Sequence, residues 1–277
     1  MRRYTYDAKN YPLSEIALGS IQKHYPDVQD LSLLHEHVPS KKIGELAKII
    51  GKDLADTNFY KIFDKLLEDY VSLGEILVQR FGNIRINIPN QDKDGTVLPF
   101  HQGQWVGNGL GLRTVWLPFT DAYDSNSLQL VNLMDSRAIT DACKEWDYLR
   151  LQEECKKYCE PVNIRKGQFI LFTQEHIHGA AANRTGKTRM SIDVRLLLKD
   201  GQPHRKWPGA YFRKLHDTDI HSRKVEIKDN DNVVMYAEYE GFKTRYIDLH
   251  FQTLTVKDYC NRMGYTFPHQ TGDNEGR

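Results

Sequence analysis

Between positions 56 and 72 the apolar residues fall three and four apart. Phe59, Ile62, Phe63, Leu66, Leu67, Tyr70 and Val71 line one face of a helix, with Asp56 placed as its N-cap. A shorter helix is expected before it, from Ser40 through Ile50, ended by Gly51. On this pattern the chain up to about Val78 reads as helical. From Arg80 the period shortens to two. Ile84, Ile86 and Ile88 alternate with Arg85 and Asn87 and stop at Pro89, which marks a strand. Residues 90–95 form a polar turn. Thr114–Phe119, Ser127–Val131, Gln168–Thr173 and Arg189–Leu198 are further short strands between Gly, Asn and Asp turns. A charged stretch, Thr140–Tyr158, interrupts them and is expected to be helical. After Asp200 come basic loops, two weak strands (Lys224–Ile227 and Asn232–Tyr236) and a helix near Val256–Met263. There is no internal repeat and no low-complexity tract.

Several short strands at close spacing predict a mainly β protein with helices, a sandwich or jelly roll. The expected organisation is a helical region at 1–78, a β core at 79–200 and an extension at 201–277, forming one compact domain overall. The length of 277 residues does not by itself decide between one domain and two, but 40% apolar residues can fill a sizeable core. A formal charge of +1 removes the electrostatic argument for nucleic acid or an anionic membrane as partner. No stretch approaches the roughly 20 apolar residues of a membrane helix, and the start, Met-Arg-Arg-Tyr-Thr-Tyr, lacks the apolar segment of a signal peptide. A cytoplasmic location is the expectation. Cys143, Cys155, Cys159 and Cys260 form no C-x-x-C pair and have no nearby histidines to complete a tetrahedral site, so they read as free thiols.

The candidate chemistry sits at two histidines and an arginine. His101 lies in Leu98-Pro-Phe-His-Gln-Gly-Gln-Trp105, and His178 lies in Thr173-Gln-Glu-His-Ile-His-Gly179. A neutral histidine offers one ring nitrogen to a metal while the other seeks an acceptor. Taken singly, each could equally be a half-buried structural histidine. On the strand from Arg189, the residues Arg189, Ser191, Asp193 and Arg195 point one way and Met190, Ile192 and Val194 the other. The ordinary reading is a solvated charged face. Inside a small barrel, Arg189 with Ser191 could instead grip a carboxylate in a two-pronged contact. Asp193 and Arg195 would then pair with each other or contact a polar substrate.

His101-x-Gly103, His178-Gly179 and Arg189-x-Ser191 together resemble the iron(II)/2-oxoglutarate dioxygenase superfamily, its phytanoyl-CoA-hydroxylase-like branch in particular. Phe100-His-Gln is similar to that branch's aromatic-His-Gln-Asp. Trp116-Leu-Pro-Phe-Thr-Asp121 followed by Asn126-Ser-Leu resembles its Trp-x-x-x-x-Asp and Asn-Gly-x-Leu segment. The resemblance covers roughly residues 79–198. It implies a double-stranded β-helix (cupin-like) with iron(II) on His101 and His178. It further implies 2-oxoglutarate on Arg189 and Ser191, with Thr114 and Gln129 as further cosubstrate contacts, and O2 as oxidant. Gln104-Trp-Val-Gly-Asn-Gly with Arg113-Thr-Val-Trp also resembles oxygenases of sporadic bacterial carbohydrate clusters. The tail segment from Phe251 to Gly264 is similar to a small companion protein of such clusters.

The departure from the pattern is Gly103, which stands where the superfamily has the coordinating carboxylate. Water could fill that vacancy in a hydroxylase, chloride could fill it in a radical halogenase, or iron binding could be lost. Gln104 could lend an amide oxygen, although neighbours on a strand face opposite sides. The expected activity is oxygenation of a small polar substrate, such as a sugar, a sugar nucleotide or another carbohydrate-pathway intermediate. Halogenation and a non-catalytic carbohydrate-binding jelly roll are the alternatives. A zinc isomerase would need a third ligand such as His176 or Glu175. Arg85, Asn87, Gln104, Trp105, Arg113, Trp116 and Arg195 are the candidate substrate contacts, with Gln129 also a possible pocket residue. The oligomeric state is open, a homodimer being one option.

Overall fold

The computed structural model describes residues 1–90, 98–106, 108–199, 201, 211–217, 220, 224–229, 232–238 and 254–262. The expected polar turn lies, beyond Asn90, outside them, as do residues 251–253 and 263–264 of the tail segment. The chain opens with a strand, β1 (Arg2–Thr5), followed by α1 (Leu13–Gln22), the short α2 (Leu34–His37), α3 (Ile43–Asp53) and α4 (Phe59–Tyr70). Then come β2 (Ile76–Gln79), β3 (Asn83–Asn87), β4 (His101–Gln102), β5 (Leu112–Pro118) and β6 (Leu128–Val131). Helices α5 (Leu133–Ala142) and α6 (Tyr148–Tyr158) precede β7 (Cys159–Pro161), β8 (Gln168–Thr173), β9 (Ile177–Ala180) and β10 (Arg189–Leu198). Beyond them lie β11 (Phe212–Lys214), the hairpin of β12 (Lys224–Asp229) and β13 (Asn232–Glu238), and α7 (Val256–Arg262). No described helix is long and apolar enough to cross a membrane.

The strands from β3 to β10 are dealt between two antiparallel sheets. The major sheet has β3, β10, β5 and β8 as successive neighbours, and the minor sheet has β4, β9, β6 and β7. This winding is a double-stranded β-helix, the jelly-roll class expected from the strand pattern. β1 extends the major sheet beyond β8, and β2 and β11 extend it beyond β10. The region up to residue 78 is therefore not wholly helical, because β1 and most of β2 belong to the main sheet.

Three apolar clusters explain why each face is where it is. Met190, Ile192, Val194 and Leu196 of β10 pack with Phe59, Phe63 and Leu66 of α4 in one core that also takes Val115, Leu117, Phe169 and Leu171. The helical layer thus covers the outer face of the major sheet. Phe100, Ile177 and Val131, on the outer face of the minor sheet, pack against Ile139, Leu151, Cys155 and Tyr259 from α5, α6 and α7. Trp116, Ile170 and Phe172 meet Leu128, Leu130, Val162 and Ile164 between the two sheets. With both outer faces covered, the polar set of β10 is left to line the barrel.

Local details differ from the sequence pattern. α4 begins after Asn58, and Thr57 Oγ1 accepts from Phe59 N at 3.1 Å, while Asp56 closes a preceding 3-10 turn. Gly51 does not stop α3, which runs on to Asp53. The charged insertion is two helices, α5 and α6, rather than one. Asp64 of α4 receives Nη1 and Nη2 of Arg213 at 2.6 and 2.7 Å, a buried bidentate pair that anchors β11 to the helical layer.

Candidate active site

Strand β10 carries the polar floor of the barrel. Nine of its ten residues, all but Leu198, are buried, the charged ones included. Arg189 is 4% exposed; its Nε donates to the Asn126 carbonyl at 2.9 Å and its Nη1 to Ser191 Oγ at 3.0 Å. Trp116 Nε1 donates to the same Ser191 hydroxyl at 3.1 Å. Among the described residues no carboxylate forms an ion pair with Arg189. Burial, and then the neighbouring Arg85, push its pKa down to about 10, so it is still a cation at neutral pH. A buried cation of this kind is a ready acceptor site for an anionic ligand.

Four residues along β10 from Arg189 the charges do pair. Asp193 accepts from Arg195 Nη1, from Arg85 Nε at 3.0 Å and from Asn83 Nδ2 at 2.7 Å. Burial opposes ionisation there, yet Arg195 and Arg85 hold the carboxyl well below the usual range. The side chain of Arg85 is 42% exposed, so this network reaches solvent. The β3 register sets Asn87 beside Arg189 and Arg85 beside Ser191, so these candidates share the barrel face of β10.

The histidines face this floor from the minor sheet. β4 and β9 pair with His101 directly opposite His178, and their ring centroids are 4.4 Å apart. His101 Nδ1 lies 2.9 Å from the Pro99 carbonyl, and His178 Nδ1 lies 3.0 Å from the His176 carbonyl. A carbonyl oxygen only accepts, so each Nδ1 carries the proton and each Nε2 keeps its lone pair. Burial lowers the His101 pKa to about 4, and burial together with His101 lowers that of His178 well below its ordinary value. Both rings are neutral donors at pH 7, each with its tautomer fixed by a backbone acceptor, as metal-binding imidazoles require. Because β4 spans only two residues, its neighbours are held by side chains. Gln152 of α6 accepts from Phe100 N at 2.7 Å and donates to Phe100 O at 2.9 Å, and Gln102 donates to Thr140 of α5. Gly179 is required for the close approach, since a Cβ there would lie 3.0 Å from Phe100 N and 3.1 Å from Leu98 O.

The place beside Gly103 is not an open vacancy. Its backbone is outside the left-handed region, but a Cβ would collide with Gln174 Oε1. Gln174 was not legible as a site residue, because a turn after β8 brings it here. Thr114 is buried on the barrel face and accepts from Gln174 Nε2 at 2.8 Å. Asn83 and Tyr211 are the other residues missed. Burial raises the pKa of Tyr211 to about 12, and Arg195 and Asp193 are the next charges it feels.

Other candidates are not brought together with the histidines. The β6–β9 register sets Leu130, not Gln129, beside His178, and Gln129 Nε2 donates to the carbonyls of Asp124 and Ser127 at 2.9 and 3.3 Å. Trp105 packs with Val131 and Ile139 in the outer cluster of the minor sheet. Arg113 alternates with Thr114 and caps the Leu110 and Leu112 carbonyls at 3.2 and 2.9 Å. Gln104 is buried in the 3-10 turn Gln104–Val106. His176 Nδ1 is 2.8 Å from Thr173 Oγ1, and Glu175 pairs with Arg137. No three His, Cys, Asp or Glu among the described residues could hold a metal together, so neither His176 nor Glu175 completes such a set with the two histidines there. Two surface hollows of about 510 and 410 Å³ contain none of the residues around the histidines.

The jelly-roll barrel thus places two buried histidines on its minor sheet and, on its major sheet, a buried arginine that has no carboxylate partner among the described residues. The phytanoyl-CoA dioxygenase (PhyH) family matches residues 49–191, just over half of the chain, and the chain belongs to that family. It is an iron(II)- and 2-oxoglutarate-dependent oxygenase acting on a small molecule with O2. No curated protein sequence matches it. Among solved structures, it is similar to a non-haem monooxygenase, ThoJ, in a nickel complex (TM-score 0.43, 15% identity, 94% of this chain and 95% of that one). It is also similar to HygX from Streptomyces hygroscopicus with nickel and 2-oxoglutarate bound (TM-score 0.40, 10% identity, 74% and 83%). A third is the non-haem alpha-ketoglutarate-dependent carbocyclase SnoK from nogalamycin biosynthesis (TM-score 0.39, 18% identity, 52% and 61%). These likenesses are distant, and the family assignment rests on the sequence match.

Proposed function

We propose that His101 and His178 hold iron(II) through their Nε2 atoms, that Arg189 and Ser191 hold the distal carboxylate of 2-oxoglutarate, and that the enzyme hydroxylates a small polar substrate. The observation that carries this reading is the pairing of two buried neutral imidazoles, each with Nδ1 on a carbonyl, with a buried arginine that has no anionic partner among the described residues. When bound, iron(II) with 2-oxoglutarate supplies the activation of O2 for attack on a C–H bond. The chain supplies position and charge. Pro99 and His176 carbonyls aim the imidazoles, Trp116 and Arg189 orient the Ser191 hydroxyl, and the closed barrel keeps water from the guanidinium. That exclusion strengthens the Arg–carboxylate contact, because charge-assisted hydrogen bonds gain where the dielectric is low.

Arg85, Asp193 and Arg195 form a charged patch that reaches solvent at one edge, which suits a polar or anionic substrate better than an acyl chain. With the sequence resemblance to carbohydrate-cluster oxygenases, this favours a sugar or sugar nucleotide. Halogenation would need an open ligand position for chloride beside residue 103, and Gln174 stands there, so oxygenation is favoured. A non-catalytic jelly roll would have no use for the Arg189–Ser191 pair. The test is to supply iron(II), 2-oxoglutarate and O2 with a panel of sugars and sugar nucleotides, following succinate and product mass. Succinate formation coupled to a product heavier by one oxygen supports the proposal. A chlorinated product, or no coupled turnover with any polar substrate while acyl thioesters react, would overturn it.

A further inference from the structure

The group that fills the space beside Gly103 has the chemistry of a ligand. A Cβ at 103 would lie 2.9 Å from Gln174 Cδ and 3.1 Å from Asn108 Nδ2, besides colliding with Gln174 Oε1. Gln174 is 1% exposed, and Thr114 Oγ1 takes its Nε2 at 2.8 Å. With the nitrogen end held by Thr114, the oxygen end is turned toward Gly103. Gly103 lies two residues beyond His101, in the turn that follows β4. The oxygen therefore lies where the side chain of residue 103 would stand. Side-chain amide carbonyls are ordinary oxygen ligands of hard cations, and a divalent metal on two imidazoles accepts such a donor beside them.

We propose that Gln174 Oε1 takes the place of the missing carboxylate, serving as the third protein donor to the metal held by His101 and His178. The proposal rests on the reading of those two histidines as ligands. It makes the protein donor set neutral, so the dianionic cosubstrate supplies all the compensating charge, and metal and 2-oxoglutarate bind cooperatively. It also assigns Thr114 a positioning role, since its hydroxyl fixes which end of the amide faces the metal. A glutamate at 174 could keep that contact, because the threonine hydroxyl can donate as well as accept.

The test is the dissociation constant of iron(II), measured anaerobically on the full chain by competition with a chromophoric chelator, with and without 2-oxoglutarate. Gln174→Ala should weaken iron binding at least tenfold. Gln174→Glu should tighten it at least tenfold in the absence of 2-oxoglutarate and reduce the cooperativity. Gly103→Asp alone should bind poorly because Gln174 obstructs it, and Gly103→Asp with Gln174→Ala should bind better than either single variant. His101→Ala serves as the reference. If His101→Ala binds iron like the wild type, the ligand reading itself falls. If His101→Ala loses iron while both Gln174 variants match the wild type, only the Gln174 assignment is overturned. Circular dichroism establishes that each variant is folded, and the isosteric Gln174→Glu decides the matter should Gln174→Ala not fold.

Discussion

Replacing Arg189 with Met removes a buried cation while keeping an unbranched apolar side chain. Of the five N–H donors of Arg189, the one on Nε is engaged by Asn126 O and those on Nη1 by Ser191 Oγ and, at 3.5 Å, by Arg85 O, which leaves Nη2 for a carboxylate. Losing a desolvated arginine–carboxylate contact costs about 2–5 kcal/mol. At about 1.4 kcal/mol per tenfold, the dissociation constant for 2-oxoglutarate should rise at least about 30-fold. The apoprotein should behave differently. Among the described residues its Arg189 has no ion-pair partner, and replacing buried charge by apolar volume is often neutral or stabilising. Asn126 O keeps a second donor, Asn87 Nδ2 at 3.4 Å, and Ser191 Oγ keeps Trp116. The unfolding free energy from urea titration should therefore stay within about 1 kcal/mol of the wild type. Arg189→Lys keeps the charge without the planar fork and should rescue affinity only in part. Calorimetric titration of 2-oxoglutarate into the metal-loaded protein, beside urea unfolding of the apoprotein, separates the two effects. Unchanged affinity with a loss of 3 kcal/mol or more in stability would show Arg189 to be a structural residue and refute the reasoning.

Asp193→Asn should be the opposite case, since it leaves the buried Arg195 without its anion. The expected cost is about 3–5 kcal/mol of unfolding free energy, and an unchanged urea midpoint would contradict the pairing. Gly179→Ala forces a Cβ against backbone at 3.0 Å from Phe100 N, which cannot turn aside as a side chain could. It should cost about 1–3 kcal/mol and weaken iron binding by displacing the β4–β9 pair; wild-type values of both would show that the strands need not approach so closely. The apoprotein should also lose stability on acidification. His101 falls from its ordinary 6.5 to about 4 in the fold, so between those values the unfolded chain binds more protons. The stabilisation is present above pH 6.5 and lost as pH falls toward 4, amounting to roughly 2 kcal/mol at pH 5 for this one group. His101→Phe should flatten that part of the pH profile, and an unflattened profile would place the titration elsewhere.

The barrel was legible in the sequence where periodicity runs long. The alternation through Ile84–Ile88 and Arg189–Leu198 marked strands, and the amphipathic face from Phe59 to Tyr70 marked the helix that covers them. β4 was not legible as a strand, because two residues carry no period. β1 and β2 were hidden within a stretch that reads as helical on average. The position of Gly51 suggested a helix end, yet nothing there requires a positive φ, so α3 continues. For the candidate site, His101, His178, Arg189 and Ser191 were singled out through the resemblance of their motifs, and the fold sets the two histidines opposite each other and Arg189 and Ser191 on one strand face. The candidates that turn away were separable in part by parity, since Arg113 cannot share a face with Thr114 and Trp116. Gln129 needed the strand register, which only the pairing of β6 with β9 sets. Gln174 needed the tertiary fold, because seventy residues of chain separate it from Gly103 and only the turn after β8 brings it back.

The central claim, a metal on His101 and His178 with 2-oxoglutarate on Arg189, is tested most directly by one anaerobic titration. Iron(II) and then 2-oxoglutarate are added to the full chain while the weak visible charge-transfer absorption is followed. The band should appear only with both present, persist unchanged on varying chloride, and be absent in His101→Ala and in His178→Ala. A band of full intensity in either histidine variant, or none in the wild type at saturating iron(II) and 2-oxoglutarate, would contradict the account.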